Sequence, residues 1–395
     1  MHKILSILFF ISTAFSLQAA TLPVTTPEAM GMHSAAFLRV DSAINACMQK
    51  RVIPGAVLGV VSHGQMLYEK AYGDKAIFPS REPMDLNTVF DLASCTKPLA
   101  TAISILILNE RGLLDLNDPV RKYIPEFRSA GRDITVMHLL THTSGLPVYV
   151  SEIMLKNRYG APNPNGFMHY IDSCRRDAAP GQRMEYSCLN YIALQHIVEN
   201  ISGKSLRDFA KENIFDPLGM QHTDFCPTGE TLQRCAPTSK LKGDSVLKGI
   251  VHDPLARVMN AGISGNAGLF SDVNDVSILV AALQHGGSWE GKRILSEASV
   301  KTLTTVPDSL QAFGRTPGWD MASKYATCKG SMLSTKTYCH TGYTGTSIVV
   351  DPDNDLAIIL LTNRVHPYDK GSIVKLRAEI ADMIAGTMSE MNKNK

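Results

Sequence analysis

The chain keeps its β-branched segments at its two ends and its helix-forming stretches between them. Near the start, residues 56–62 are apolar and largely β-branched, His63-Gly64 is a turn signal, and residues 65–71 read as a returning strand. Near the end, residues 347–350 and 356–361 are aliphatic and flank Asp351-Pro352-Asp353-Asn354-Asp355, a second hairpin. The middle has helical spacing at residues 98–111, 137–140, 191–201, 206–214 and 273–285, and residues 375–384 close the chain as a helix. Residues 157–166, rich in Asn, Pro and Gly, read as a surface loop. Strands from both termini can share one antiparallel sheet only if the stretch between them is looped out. The expectation is an α+β fold: an antiparallel sheet flanked by helices, with a mainly helical lobe, about 98–285, inserted in it. A ligand is expected between the two lobes.

The first twenty residues differ from the rest. His2 and Lys3 precede an apolar run over residues 4–17, followed by the small Ala19 and Ala20. That is the layout of a cleaved export signal, and the run is short for a bilayer core of about 30 Å. The reading is a signal peptide over 1–20, one domain over 21–395, and a periplasmic or secreted product without a stable membrane anchor. With 39 Lys and Arg against 37 Asp and Glu, no basic field is available to recruit nucleic acid. Export permits disulfides, and among eight cysteines Cys226 with Cys235 and Cys328 with Cys339 are spaced to close short loops. No Cys, His or acidic group has metal spacing, so neither metal nor organic cofactor is expected.

Three segments carry chemistry. Ser94-Cys95-Thr96-Lys97 opens the helix over 98–111, and positions three apart share a helix face, so Lys97 can reach the Ser94 hydroxyl. Tyr186, in Glu185-Tyr186-Ser187-Cys188-Leu189-Asn190-Tyr191, offers a phenol for proton transfer. Cys339-His340-Thr341-Gly342-Tyr343 precedes the strand at Ser347 and can lay backbone N–H groups along a substrate.

In this order these segments resemble the penicillin-recognising serine hydrolases: class C β-lactamases, DD-carboxypeptidases and related esterases and acyltransferases. Supporting stretches are the Thr-His-Thr-Ser-Gly-Leu run at 141–146, residues 180–191, and 265–271. The resemblance implies a β-lactamase/transpeptidase-like fold, with Ser94 as acylated nucleophile, Lys97 as its base and Tyr186 as partner in proton transfer. It places His340-Thr341-Gly342 at the family's Lys-Thr-Gly and makes the Ser94 and Tyr343 N–H groups the oxyanion hole.

Two departures bear on substrate. Cys188 stands where the family has Asn in Tyr-x-Asn, and a thiol is a weak hydrogen-bonding group. Asn190, two residues on, could compensate only if the local geometry shifts. His340 replaces a lysine that would meet a carboxylate. Both changes point to ester hydrolysis by a Ser94 acyl-enzyme. The alternatives are acyl transfer to an alcohol acceptor, and a β-lactamase, DD-peptidase or penicillin-binding protein without turnover. The expected partners are a small ester or acyl donor and an alcohol. Trp319 is a candidate wall of an apolar acceptor pocket, or a packing residue. His252, Asp253, His142 and Asp91 read as structural.

Overall fold

Strand β1 (Gly55–Ser62) is buried along its whole length because it lies in the middle of a sheet covered on both faces. In the computed structural model, which describes residues 20–128 and 131–393, β1 pairs antiparallel with β2 (Gln65–Ala76) on one side and β11 (Leu356–Thr362) on the other. The expected signal peptide falls, but for Ala20, outside the described residues. The six-stranded order is β3-β2-β1-β11-β10-β9, with β3 at Glu82–Pro83, β9 at Tyr338–Thr341 and β10 at Ser347–Asp351. The two termini thus complete one sheet, as the sequence pattern predicts.

Alternation along the strands divides the core in two. Leu58, Val60, Ile358 and Leu360 face one layer, which holds α1 (Ala35–Gln49) and α12 (Val374–Lys393). Val57, Val61, Ile359 and Leu361 face the other, against α10 (Val273–Gln284). Each such side chain contributes about 1.5–3 kcal/mol on full burial. Gly59 allows the close approach of α10, since a Cβ there would lie 2.6 Å from Val273 Cγ2. Because α10 packs on β1 and β11, the expected helical lobe ends before it rather than at 285.

The inserted part centres on α2 (Ile103–Glu110), whose residues 103–108 are all buried. Around it lie α3 (Val136–Leu140), α4 (Glu152–Tyr159), α5 (Pro164–Ser173), α6 (Cys188–Ser202), α7 (Leu206–Ala210), α8 (Gly229–Arg234) and α9 (Pro254–Val258). The loop expected over 157–166 is shorter than the sequence suggests. Gly160 ends α4 with φ +79°, Asn163 caps α5 through its side chain on the Gly166 N–H at 2.8 Å, and Pro164 fits the first turn. The same residues that signal a loop here separate two helices. A small sheet, β4 (Phe90–Asp91), β6 (Leu269–Ser271) and β5 (Asp224–Phe225), in that order, ties the approach to Ser94 to the 269–271 segment. The hairpin β7 (Ser288–Trp289) and β8 (Lys292–Arg293) leads to α11 (Glu297–Thr304).

All eight cysteines are free thiols. The sulfurs of Cys226 and Cys235 bond to the Ala261 and Thr231 carbonyls at 3.6 and 3.3 Å, so that expected short-loop bridge is absent. Cys328 and Cys339 are buried free thiols, so the second expected bridge is absent as well. No helix among the described residues is long and apolar enough to cross a membrane.

Candidate active site

Ser94 leaves β4 through a strained turn. Ala93 has φ +47°, a conformation that costs a non-glycine residue about 1–3 kcal/mol, and the Asp91 carboxylate holds it by accepting the Ala93 N–H at 2.9 Å. Asp91 also accepts the His252 N–H at 2.6 Å, and burial pushes its carboxyl up to about 6. Thr96 secures the next turn: its hydroxyl donates to the Ala93 carbonyl at 2.7 Å and accepts the Leu269 N–H at 3.1 Å. A π-type turn over Lys97–Ala102 then runs into α2.

The first turn brings Lys97 to Ser94. The Lys97 Nζ donates to Ser94 Oγ at 3.0 Å and to the Asn266 carbonyl at 2.8 Å, and lies 3.8 Å from Cys188 Sγ. Its side chain is wholly buried, yet none of these partners is a carboxylate. Burial opposes the ammonium charge, but Cys188 and Tyr186, which attract the ammonium wherever they ionise, outweigh it and hold the Lys97 proton above its ordinary range. Burial raises the Tyr186 phenol as well, against the pull of Lys97. Two cations face the Tyr186 ring, Lys97 at 5.0 Å and Arg315 at 5.3 Å from its centroid. The His142 ring lies tilted against the Tyr186 ring, centroids 4.4 Å apart.

The end of β9 is stitched to the serine turn. The Thr344 and Thr346 hydroxyls donate to the Asp91 and Leu92 carbonyls at 2.7 and 3.0 Å. Gly342 permits this approach, because a Cβ there would fall 2.4 Å from the Leu92 oxygen. Ser94, Tyr186, His340, Thr341, Gly342 and Tyr343 line one cleft of about 500 Å³. The far wall is the segment around Gly371–Val374 with Arg377. The Arg377 guanidinium donates to the Gly342 and Thr346 carbonyls at 3.0 and 2.8 Å and has no acidic partner among the described residues.

Several sequence expectations need correction here. His340 is placed on the cleft, but both ring nitrogens are committed: Nδ1 donates to the Thr341 carbonyl at 3.0 Å and Nε2 accepts from Arg315 at 3.1 Å. Burial and the neighbouring Arg315 keep the ring neutral, so it has no proton to exchange with Ser94. Asn190 is buried against Ser144 and His142 and cannot replace Cys188. Cys188 itself reaches Lys97, and burial raises its thiol. Trp319 is fully buried, packs on Tyr338 at 5.2 Å and does not line the cleft. Tyr343 points outward, its hydroxyl on Asp369 at 2.5 Å, while its backbone borders the cleft.

Sequence reasoning missed Arg315, Asn266 and Arg377. Arg315 is wholly buried, pairs with Asp320 and positions His340 and Tyr186. Asn266 acts through its carbonyl, which no residue type advertises. Away from the cleft, His222, Asp272 and Asp275 come together although some fifty residues separate them in the chain. Arg234 approaches the His222 Nε2 at 2.9 Å and the Asp275 carboxylate accepts the His222 N–H at 2.8 Å, which makes this a closed polar network.

The Beta-lactamase family profile matches residues 40–382. A protein of Escherichia coli K12 named "Putative D-alanyl-D-alanine carboxypeptidase" is 30% identical over 402 residues, covering 93% of this chain and 92% of its own. Among solved structures, EstCE1, described as a hydrolase with promiscuous acyltransferase activity, superposes with TM-score 0.71 at 22% identity, covering 89% of this chain and 98% of its own. Simvastatin synthase (LovD) from Aspergillus terreus gives TM-score 0.68 at 20% identity, covering 89% and 98%.

Proposed function

This chain belongs to the beta-lactamase family of serine hydrolases and acyltransferases, and from that premise we propose that it is an exported enzyme cleaving ester-type acyl donors through an acyl-enzyme on Ser94. The observation that carries the reading is the buried Lys97 ammonium, 3.0 Å from Ser94 Oγ and without an ion-pair partner among the described residues. Once the pair has lost a proton, a lysine held by a carbonyl and a hydroxyl can take the proton of that hydroxyl, whereas one locked to a carboxylate would stay charged.

The reaction follows from these positions. The Lys97–Tyr186 pair gives up one proton to solvent and becomes the base. Ser94 Oγ attacks the acyl carbonyl carbon, and its proton passes to the pair. The carbonyl electrons move to an oxyanion held by the Ser94 and Tyr343 N–H groups. The carbon–oxygen bond to the leaving alcohol breaks as the pair returns that proton to it. Water, or an alcohol acceptor, then attacks the Ser94 ester by the same steps in reverse. The neutral Cys188 thiol and the neutral, fully bonded His340 offer little to an acylamido or carboxylate group, which favours the ester.

The test compares short p-nitrophenyl esters with a chromogenic cephalosporin. Faster ester turnover is expected, and faster cephalosporin hydrolysis would overturn the substrate reading. A second reading, peptide carboxyl-terminal hydrolysis, is favoured by Arg377, which lines the cleft and whose guanidinium, among the described residues, bonds only to backbone carbonyls. On that reading an N-acyl-D-Ala-D-Ala dipeptide is cleaved faster than its methyl ester analogue, and Arg377→Leu removes the difference.

A further inference from the structure

We propose that His142 is a positioning residue for the reaction: it holds the Tyr186 phenol where Lys97 and Ser94 can use it, and takes no proton itself. The inference rests on the acyl-enzyme reading above and deepens it. The segment that carries Tyr186 has no regular structure of its own, since α6 begins only at Cys188. Its backbone must be tied from outside. The N–H groups on either side of Tyr186 both go to His142. Glu185 N–H donates to the His142 carbonyl at 2.9 Å, and Ser187 N–H donates to the His142 Nδ1 at 3.2 Å. Between these two bonds the Tyr186 and His142 rings meet, with centroids 4.4 Å apart. One residue thus fixes three consecutive ones, through its carbonyl, its ring nitrogen and its ring face.

His142 is itself firmly held. Its φ is +57°, which costs a non-glycine residue about 1–3 kcal/mol. The side chain is buried, and the Asn190 amide donates to the same Nδ1 at 3.1 Å while accepting the Ser144 hydroxyl. With Nδ1 accepting from two donors, the ring proton sits on Nε2. That nitrogen has no hydrogen-bond partner among the described residues, and burial keeps the ring neutral. The imidazole therefore has no route by which to relay a proton. It serves as an acceptor and as a surface.

Three substitutions separate these parts. His142→Phe keeps the ring face and removes the acceptor. His142→Asn keeps an acceptor, because its Oδ1 stands where Nδ1 does, and Asn tolerates positive φ. His142→Gly relieves the backbone and removes both parts.

The experiment compares a p-nitrophenyl ester with the ethyl ester of the same acid. Nitrophenolate leaves without a proton, whereas ethanol needs the one that the Lys97–Tyr186 pair returns. In His142→Phe, kcat should fall about 10-fold on the first and about 100-fold on the second, with KM within about 3-fold. His142→Asn should recover most of both. A merely structural role lowers both substrates by one factor, through the fraction of folded enzyme, and that result would refute the inference, as would His142→Phe kinetics matching wild type. Where His142→Phe does not fold, His142→Gly is read in the same way. Labelling of Ser94 by a fluorophosphonate needs no substrate, and it should slow about 10-fold in His142→Phe or His142→Gly. Unchanged labelling sinks the role of His142. Wild type that labels at Ser94 but turns over no ester sinks only the ester reading.

Discussion

A Cβ on Gly342 would lie 2.4 Å from the Leu92 carbonyl oxygen. The end of β9 and the turn that presents Ser94 are therefore in close contact, and the distance between Ser94 Oγ and the Tyr343 N–H is set there. Gly342→Ala must move one of the two segments. Because a displacement near 1 Å can cost on the order of 100-fold in rate, kcat/KM on an ester should fall about that far. Steady-state kinetics with a parallel Tm measurement checks it; activity within 3-fold of wild type in a folded variant would show that this contact does not set the geometry.

The base should be visible in pH dependence. Lys97 and Tyr186 both hold their protons above their ordinary values, so at neutral pH the pair is protonated and Ser94 lacks a base. As pH rises the pair loses one proton, and kcat/KM should climb through neutrality into the alkaline range. Burial holds His340 and His142 well below their ordinary value, so both stay neutral throughout and no limb is expected near about 6.5. A bell-shaped profile centred there would make a histidine the base.

Cys188→Asn restores a strong hydrogen-bonding side chain at the position next to Lys97. One hydrogen bond is worth about 0.5–1.5 kcal/mol, so the ratio of cephalosporin to ester turnover should rise roughly 2- to 10-fold. An unchanged ratio would remove Cys188 from the account of substrate choice.

Arg315 has a structural debt as well as a place beside Tyr186. Its side chain is wholly buried and its partner Asp320 nearly so. Arg315→Met strands a buried carboxylate, and about 3–5 kcal/mol of stability should be lost in urea unfolding. A loss below about 1 kcal/mol would mean that Asp320 finds solvent or another partner.

Much of this architecture was legible because it rests on side-chain pattern. β1 and β11 are β-branched and buried on both faces, which is why chain ends so far apart could be paired from the sequence. Ser94, Lys97 and Tyr186 converge as their motifs imply. What stayed hidden is carried by backbone or by long-range packing. The Asn266 carbonyl has no residue signature, and Arg315 is tied to His340 by folding across an intervening loop. Asn190 was misread because helix α6 turns its amide toward Ser144 and His142, away from the cleft. Asn163 and Gly160 were misread because a cap and a helix end use the same residues as a loop.

The most direct measurement is the intact mass of the protein after brief incubation with an activated ester or a fluorophosphonate, followed by peptide mapping. The account predicts a single acyl or phosphonyl adduct on Ser94 in the wild type, none in Ser94→Ala, and slower adduct formation by about 100-fold or more in Lys97→Met. Equal labelling of wild type and Ser94→Ala, or an adduct on Cys188, would contradict it.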